Sequence, residues 1–374
     1  MTDVSQVDTL FQLLSIAKRN LSSGAWDYLM GGAETETTLN QNRRALDRLA
    51  FRPRVLRNVE HVDTGATLLG LKLKLPIVLA PIGSMQDIVA VGGVAPTRAA
   101  ARTGVVHMLS SVCPPGMEEV ARAADYQKFF QLYVRGDKQW VDDTLRKALA
   151  CGYRAICLTV DRANYGRRER DVAKGHSPTA RKGAAGESFQ AAFNWNDIDR
   201  IRSYVDVPLI LKGIATGEDA EIALTRGVDC IYVSNHGGRQ LDHSQGSIAA
   251  LPEIVAAVGG RVEIIVDGGI MRGTDVLKAL ALGATAVGIG RMQGIALGAG
   301  GEDAVVRMIE IIEQEIRVAM ALLGVARLSE LNQHFLAPAE PLARNWIESA
   351  FPLIREGYGA PASETRDLSL KLPT

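Results

Sequence analysis

Residues 230–242 read CIYVSNHGGRQLD. Four apolar residues run together without the alternation of a half-exposed strand, so the segment reads as a strand buried on both faces. It breaks into Ser234, Asn235 and His236, then two glycines and Arg239. The same form recurs along the chain. It stands at 77–81 (IVLAP), 107–111 (HMLSS), 129–134 (FFQLYV), 155–161 (AICLTVD), 209–213 (LILKG), 263–269 (EIIVDGG) and 286–291 (AVGIGR). Counted with the first, these are eight short apolar runs that end in small or polar residues.

Helical patterns separate most of the runs. KQWVDDTLRKALACG, GEDAEIALTRG and TDVLKALALGA follow the third, fifth and seventh. After the eighth, Val305, Ile309, Ile312, Ile316 and Met320 fall at helical spacing, and Gly324 supplies a C-terminal stop. Strands alternating with helices predict a parallel sheet. Eight of them predict closure into a (β/α)8 TIM barrel, in preference to an open doubly wound sheet. Residues 1–335 are expected to form one barrel domain that includes two N-terminal helices, in TLFQLLSIAKRNL and in GGAETETTLNQNRRALDRL. Residues 336–374 hold five of the chain's 14 prolines and read as an extended C-terminal arm. The Gly/Ala/Ser-rich insert at 174–188 reads as a lid or loop.

The 374 residues are 47% hydrophobic and 22% charged, and 42 basic residues balance 42 acidic ones. That balance argues against a nucleic-acid binder or a polybasic membrane anchor. The four cysteines form no CxxC pair, and no histidine pair has metal-ligand spacing, so no metal site is expected. Unpaired cysteines, no signal-peptide core and no long apolar span together suggest a cytoplasmic protein with no membrane segment.

In a barrel of this kind the C-terminal ends of the strands form the active face. Polar residues gather there: Ser110, Gln131, Tyr133, Thr159, Asp161, Lys212, Ser234, His236, Asp267 and Arg291. A lysine at a barrel mouth stabilises an anion or forms a Schiff base. The loops DGGIMRG and GIGRMQG offer backbone N–H groups from Gly269 and Gly290, beside Arg272 and Arg291, where such barrels bind phosphate. No GxGxxG stands at a strand-to-helix turn, which disfavours NAD. His236 is the candidate base, with Asp161 to fix its other ring nitrogen. Arg239 offers a planar fork for a carboxylate.

These stretches, with WDYLMGGAETETTLNQNR, FRPRVL, GRRERD and LGATAVGIGR, resemble the FMN-dependent L-2-hydroxy-acid oxidase and dehydrogenase family. That family includes glycolate oxidase, lactate oxidase and mandelate dehydrogenase. The resemblance spans about residues 10 to 330. It implies bound FMN and oxidation of a small-molecule L-2-hydroxy acid to the 2-oxo acid, in a homo-oligomer, a tetramer by the same likeness. His236 resembles the family's base and Asp161 its partner. Arg168 and Arg239 resemble the carboxylate clamp. Tyr28 and Tyr133 resemble the tyrosines that hydrogen-bond substrate. Lys212 resembles the lysine beside flavin N1 and O2. Ser110, Gln131, Thr159, Ser234 and Asp267 join it as flavin contacts, and Gly269, Gly290 and Arg291 as phosphate contacts.

There are departures. Met271 stands where the family usually has a phosphate-binding arginine, leaving Arg272 to substitute or the grip weaker. VAVGG at 89–93 replaces an HPEGE-like segment. Gly83 replaces an alanine, Val112 a tryptophan and Tyr165 a smaller aliphatic residue, and the lid is shorter. Val112, Gly83 and the shorter lid open the pocket while Tyr165 restores some bulk on another side, and the net prediction is a roomier pocket with one polar wall and a substrate larger than glycolate or lactate. Two other functions compete: an FMN barrel acting as an isomerase or on a non-acid substrate, and a flavin-binding protein without catalysis. Paired arginines argue against the first, and the retained His236, Asp161, Tyr28 and Tyr133 against the second.

Overall fold

The computed structural model describes residues 4–179, 181, 187–341 and 350–351. Eight parallel strands close into a barrel, and each of the eight apolar runs supplies one. They are β1 (Ile77–Leu79), β2 (Val106–Ser110), β3 (Lys128–Leu132), β4 (Ile156–Thr159), β5 (Leu209–Ile214), β6 (Cys230–Val233), β7 (Glu263–Val266) and β8 (Ala286–Ile289). Strand order follows chain order, and Val287 pairs with Ile77 to shut the ring. This is the expected (β/α)8 fold.

Burial on both faces explains why the runs do not alternate. One set of residues, among them Val106, Met108, Phe129, Cys157, Ile210, Tyr232 and Ile265, packs inside the barrel. Their neighbours, such as Leu109, Phe130, Leu158, Leu211 and Ile231, pack outward against the helices. A hairpin, Ala66–Leu68 with Leu71–Leu73, closes the N-terminal end. Its Leu68 and Leu73 join the interior core, and Leu69 N–H donates to Glu263 at the start of β7. The opposite end stays open.

The expected helices form at Lys138–Ala150, Gly217–Thr225 and Gly273–Ala281. The last long helical stretch, Arg291–Leu323, is broken at Gly300 and Gly301 and ends at Gly324, whose φ of +73° suits a glycine stop. Ahead of the barrel, Leu10–Asn20 starts with a Thr9–Gln12 capping box. Thr37–Asp47 lies across the late loops, where Arg43 grips Asp275 through two 2.8 Å hydrogen bonds.

The start of the C-terminal arm pairs antiparallel: Leu336–Pro338 lies against Leu49–Phe51. Phe351 is buried with its ring edge-on to Phe11 at 5.6 Å. Residues 342–349 and 352–374 of the expected arm, and 180 and 182–186 of the expected lid, lie outside the described residues. Among the described residues, no helix is long and apolar enough to cross a membrane, and no cluster of side chains fits a metal ion.

Candidate active site

β6 ends at Val233, and the chain turns sharply enough that His236 itself takes a φ of +59°. Gly238 follows at +75°, so close to the N-terminal helix that a Cβ would lie 2.4 Å from the backbone N of Leu39. Only glycine fits there. The turn aims the imidazole into the barrel mouth, where His236 Nδ1 lies 3.0 Å from Asp161 Oδ1. Its other nitrogen, Nε2, lies 3.1 Å from the Tyr133 hydroxyl. With the proton on Nδ1 donating to the carboxylate, Nε2 is left as an acceptor facing the cavity.

Asp161 reaches this position through a bulge in β5. Gly213 has a φ of +110°, and a Cβ on it would meet Asp161 at 2.6 Å. That explains the glycine in LILKG. Burial pushes the His236 imidazole below the ordinary histidine value; Lys212 and Arg168 add to this, while Asp161 opposes it. Burial alone would raise Asp161, but His236 and Lys212 hold it below the usual carboxylate range. A neutral imidazole oriented by a carboxylate is the arrangement of a general base. Burial pushes Tyr133 up to about 12, so its hydroxyl keeps its proton.

Lys212, at the end of β5, sits beside this pair. Its Nζ is 2.8 Å from Ser234 Oγ and 3.3 Å from Asp267 Oδ2, and Ser234 Oγ donates to Asp267 Oδ1 at 2.6 Å. Burial opposes its charge, but Asp267 and Asp161 carry its pKa above the ordinary lysine value. The direction favours a charged ammonium over a free amine.

Arg168 and Arg239 line the same cavity. Arg168 donates to the Tyr165 hydroxyl, and its Nε has no partner among the described residues. Burial, then the charge of Arg239, pushes Arg168 down to about 10. Arg239 donates to the carbonyls of Tyr28 and Gly31 at 2.6 and 3.0 Å. Two guanidinium groups on one cavity, neither in an ion pair among the described residues, form an anion site. Tyr28 lines the cavity, while its hydroxyl donates to the Gly83 carbonyl at 2.9 Å.

The residues expected to hold FMN divide into two sets. Ser110, Gln131 and Thr159 are buried at the ends of β2, β3 and β4. Both polar atoms of the Gln131 amide, and Thr159 Oγ1, have no partner among the described residues. Buried polar groups are rarely left so, and a flavin ring edge carries the donors and acceptors they need. Gly269, Gly290 and Arg291 share a wall of the cavity, and a Cβ on Gly290 would point into open space. The donor set therefore fits FMN. The Arg291 guanidinium rests on the Gly31 carbonyl at 2.8 Å; burial and Arg239 push it down to about 9, and its Nε has no partner.

Arg272 does not substitute for the missing arginine. It pairs with Glu315 at 2.5 Å and stacks on Phe11, while Met271 is buried in the cavity wall. The loop is instead braced from behind by Asp275, which accepts from the Met271 N–H at 3.0 Å and from Arg43.

Several residues of the site escaped the sequence reading. Asn42 and Asn235 exchange side-chain hydrogen bonds of 2.9 and 2.8 Å, which dock the N-terminal helix under the VSNHGG turn. Asp242 accepts from the Thr35 and Thr38 N–H groups, and burial opposed by these bonds leaves it at about 2. Arg135, Arg162 and Arg181 also line the cavity. Arg135 and Arg162 each lie just past a strand end and carried that much of a signal; Arg181, in the insert, carried none.

A sequence model of the family described as FMN-dependent dehydrogenase matches residues 17–338. The chain is 38% identical to an L-lactate oxidase of Nostoc sp. over 363 residues, covering 90% of this chain and 100% of that one. It is 37% identical to glycolate oxidase 1 of Oryza sativa subsp. indica over 365 residues, 91% of this chain and 99% of the relative. A crystal structure of mandelate oxidase with (S)-2-phenylpropionate superposes with a TM-score of 0.83 at 38% identity, covering 90% and 99% of the two chains.

Proposed function

This chain belongs to the FMN-dependent dehydrogenase family and uses FMN to oxidise an L-2-hydroxy acid to the 2-oxo acid, and we propose that His236 is the base of that reaction. The observation that carries this reading is the His236 ring, held by Asp161 on one nitrogen while the other, within reach of the Tyr133 hydroxyl, faces the cavity. Bound FMN supplies the two-electron acceptor. His236 Nε2 takes the substrate proton, from the hydroxyl or from the α-carbon, and Asp161 stabilises the imidazolium that results. Tyr133 and Tyr28 position the substrate hydroxyl and carboxylate, and Arg168 and Arg239 clamp the carboxylate.

Lys212, its ammonium held by Ser234 and Asp267, would supply a cation to offset the negative charge that the reduced flavin carries. Ser110, Gln131 and Thr159 would hydrogen-bond the flavin, and Gly269, Gly290 and Arg291 would take its phosphate. The clamp of two arginines disfavours a non-acid substrate, because two guanidinium groups suit a carboxylate. Anaerobic bleaching of the purified yellow protein by 2-hydroxy acids tests the assignment. Bleaching by a hydroxy acid in wild type and its loss in His236→Ala are expected; bleaching that survives the substitution contradicts it.

Gly83 and Val112 line the cavity, which supports a substrate larger than glycolate or lactate, and Tyr165 lines it as a bulkier polar wall. We take residues 1–335 as one FMN-binding domain and 336–374 as an extension whose first strand, Leu336–Pro338, pairs back onto Leu49–Phe51. A cytoplasmic homo-oligomer is the accompanying proposal. The free state of all four cysteines supports a reducing compartment.

A further inference from the structure

Gly288 stands inside β8 with an ordinary strand backbone, so no unusual turn accounts for it. A glycine within a strand weakens it and marks a place where another group comes close. Here that group is Tyr232. A Cβ on Gly288 would lie 1.8 Å from the Tyr232 hydroxyl oxygen, 2.9 Å from its Cζ and 3.0 Å from Asp267 Cβ. The Tyr232 side chain therefore leaves β6, passes β7 and ends against β8. It is fully buried, among Cys157, Ile210, Cys230 and Ile265 of the interior core.

The ring also meets the lysine of the mouth. Tyr232 pairs in register with Lys212 on β5, and the Lys212 ammonium stands 5.0 Å from the ring centroid. The same ammonium is 2.8 Å from Ser234 Oγ and 3.3 Å from Asp267 Oδ2. Lys212 is thus restrained by two polar groups at the ends of β6 and β7 and by one aromatic face inside the barrel. An aromatic face attracts a cation, most strongly where water is excluded, and Lys212 and Tyr232 are both buried.

We propose that Tyr232 is a positioning residue of the cofactor site: its ring, admitted by Gly288, fixes the Lys212 ammonium at the barrel mouth and so sets the reduction potential of the bound flavin. The proposal rests on the reading of Lys212 as the cation that offsets the charge of the reduced flavin. A lysine has a flexible four-carbon stem and a point charge that no planar fork orients. Without the ring, the ammonium would withdraw into the vacated interior, away from the mouth, and the reduced flavin would lose part of its countercharge. A ring that only filled space would contribute stability and leave the potential alone.

The test is the FMN midpoint potential of the holoprotein, from reductive titration against a reference dye, with thermal stability measured alongside. Tyr232→Ile keeps a residue suited to a strand but removes the ring. It should disfavour the reduced flavin by about tenfold, the scale of one buried cation–π contact, which lowers the potential by about 30 mV for a two-electron couple. Tyr232→Phe keeps the ring and should stay near the wild-type potential. Adding Gly288→Ala to Tyr232→Ile returns volume, and should recover stability without recovering the potential; it also carries the measurement if the single variant folds poorly. Phe129→Leu, in the same interior core, should lose stability and keep the potential. An unchanged or raised potential in flavin-loaded Tyr232→Ile overturns the proposal. So does an equal fall in Phe129→Leu, or a potential that returns with stability in the double variant. A wild-type protein that binds no FMN would instead reject the reading of the cofactor site itself, and this proposal with it.

Discussion

Arg239 and Arg291 share one backbone oxygen: both donate to the Gly31 carbonyl, at 3.0 and 2.8 Å. One is assigned to the substrate carboxylate and the other to the cofactor phosphate, so two anion sites meet at a single point of the N-terminal segment. The proximity has a cost visible in Arg291, which burial and Arg239 push down to about 9. Each anion that arrives relieves it.

Removing Arg239 should therefore weaken product binding directly. A charge-assisted hydrogen bond contributes about 1.5–3 kcal/mol. Titration of Arg239→Met with a 2-oxo acid should give a Kd raised roughly tenfold or more. Equal affinity in wild type and variant would count against the clamp.

The His236–Asp161 pair predicts a pH profile with a definite sign. The base works deprotonated, and its pKa lies below the ordinary 6.5, so flavin reduction should hold near neutrality and fall only as the pH drops below that value. Asp161 is the contact that raises the histidine. Asp161→Asn should slow reduction, because the imidazolium loses its partner, yet move the acid limb to still lower pH. An acid limb moving upward would contradict the arrangement.

Met271 leaves the phosphate one arginine short, and Arg272 is committed to Glu315. Met271→Arg should tighten FMN by about tenfold or more, on the same scale of charge-assisted bonds. A fluorescence titration of the apoprotein measures it; an unchanged or weaker Kd would show that Arg291 and the glycine loops already suffice.

Val112 and Gly83 line the wall where bulk is missing. Each buried CH2 contributes about 0.8 kcal/mol, so two or three extra carbons should give roughly ten- to fiftyfold in kcat/KM over glycolate. Val112→Trp should erase that advantage. Kinetics across glycolate, lactate, 2-hydroxyoctanoate and mandelate decide it, and a wild-type preference for glycolate would be the adverse result.

The barrel was legible because each strand is buried on both faces and writes itself as an unbroken apolar run. The closeness of His236 to Asp161 was legible too: both stand just past strand ends, and a barrel brings such ends to one mouth. What was not legible lies in contacts that cross the chain. Asn42 meets Asn235, and Arg43 meets Asp275, across some 190 to 230 positions; a helix outside the barrel carries no periodic mark of where it docks. Arg272 is the opposite case. The sequence placed it in the right loop, but Glu315, on a distant helix, decides which way it points. Arg135, Arg162 and Arg181, which also line the cavity, were missed because segments apart in the chain supply them.

The central claim is that His236 takes the substrate proton. Its most direct test is stopped-flow flavin reduction in anaerobic His236→Ala, with FMN content checked so that lost cofactor is not read as lost chemistry. The account predicts a reduction rate lower by at least about a hundredfold, the lower end of general-base catalysis. A rate near wild type in a fully loaded variant would contradict it.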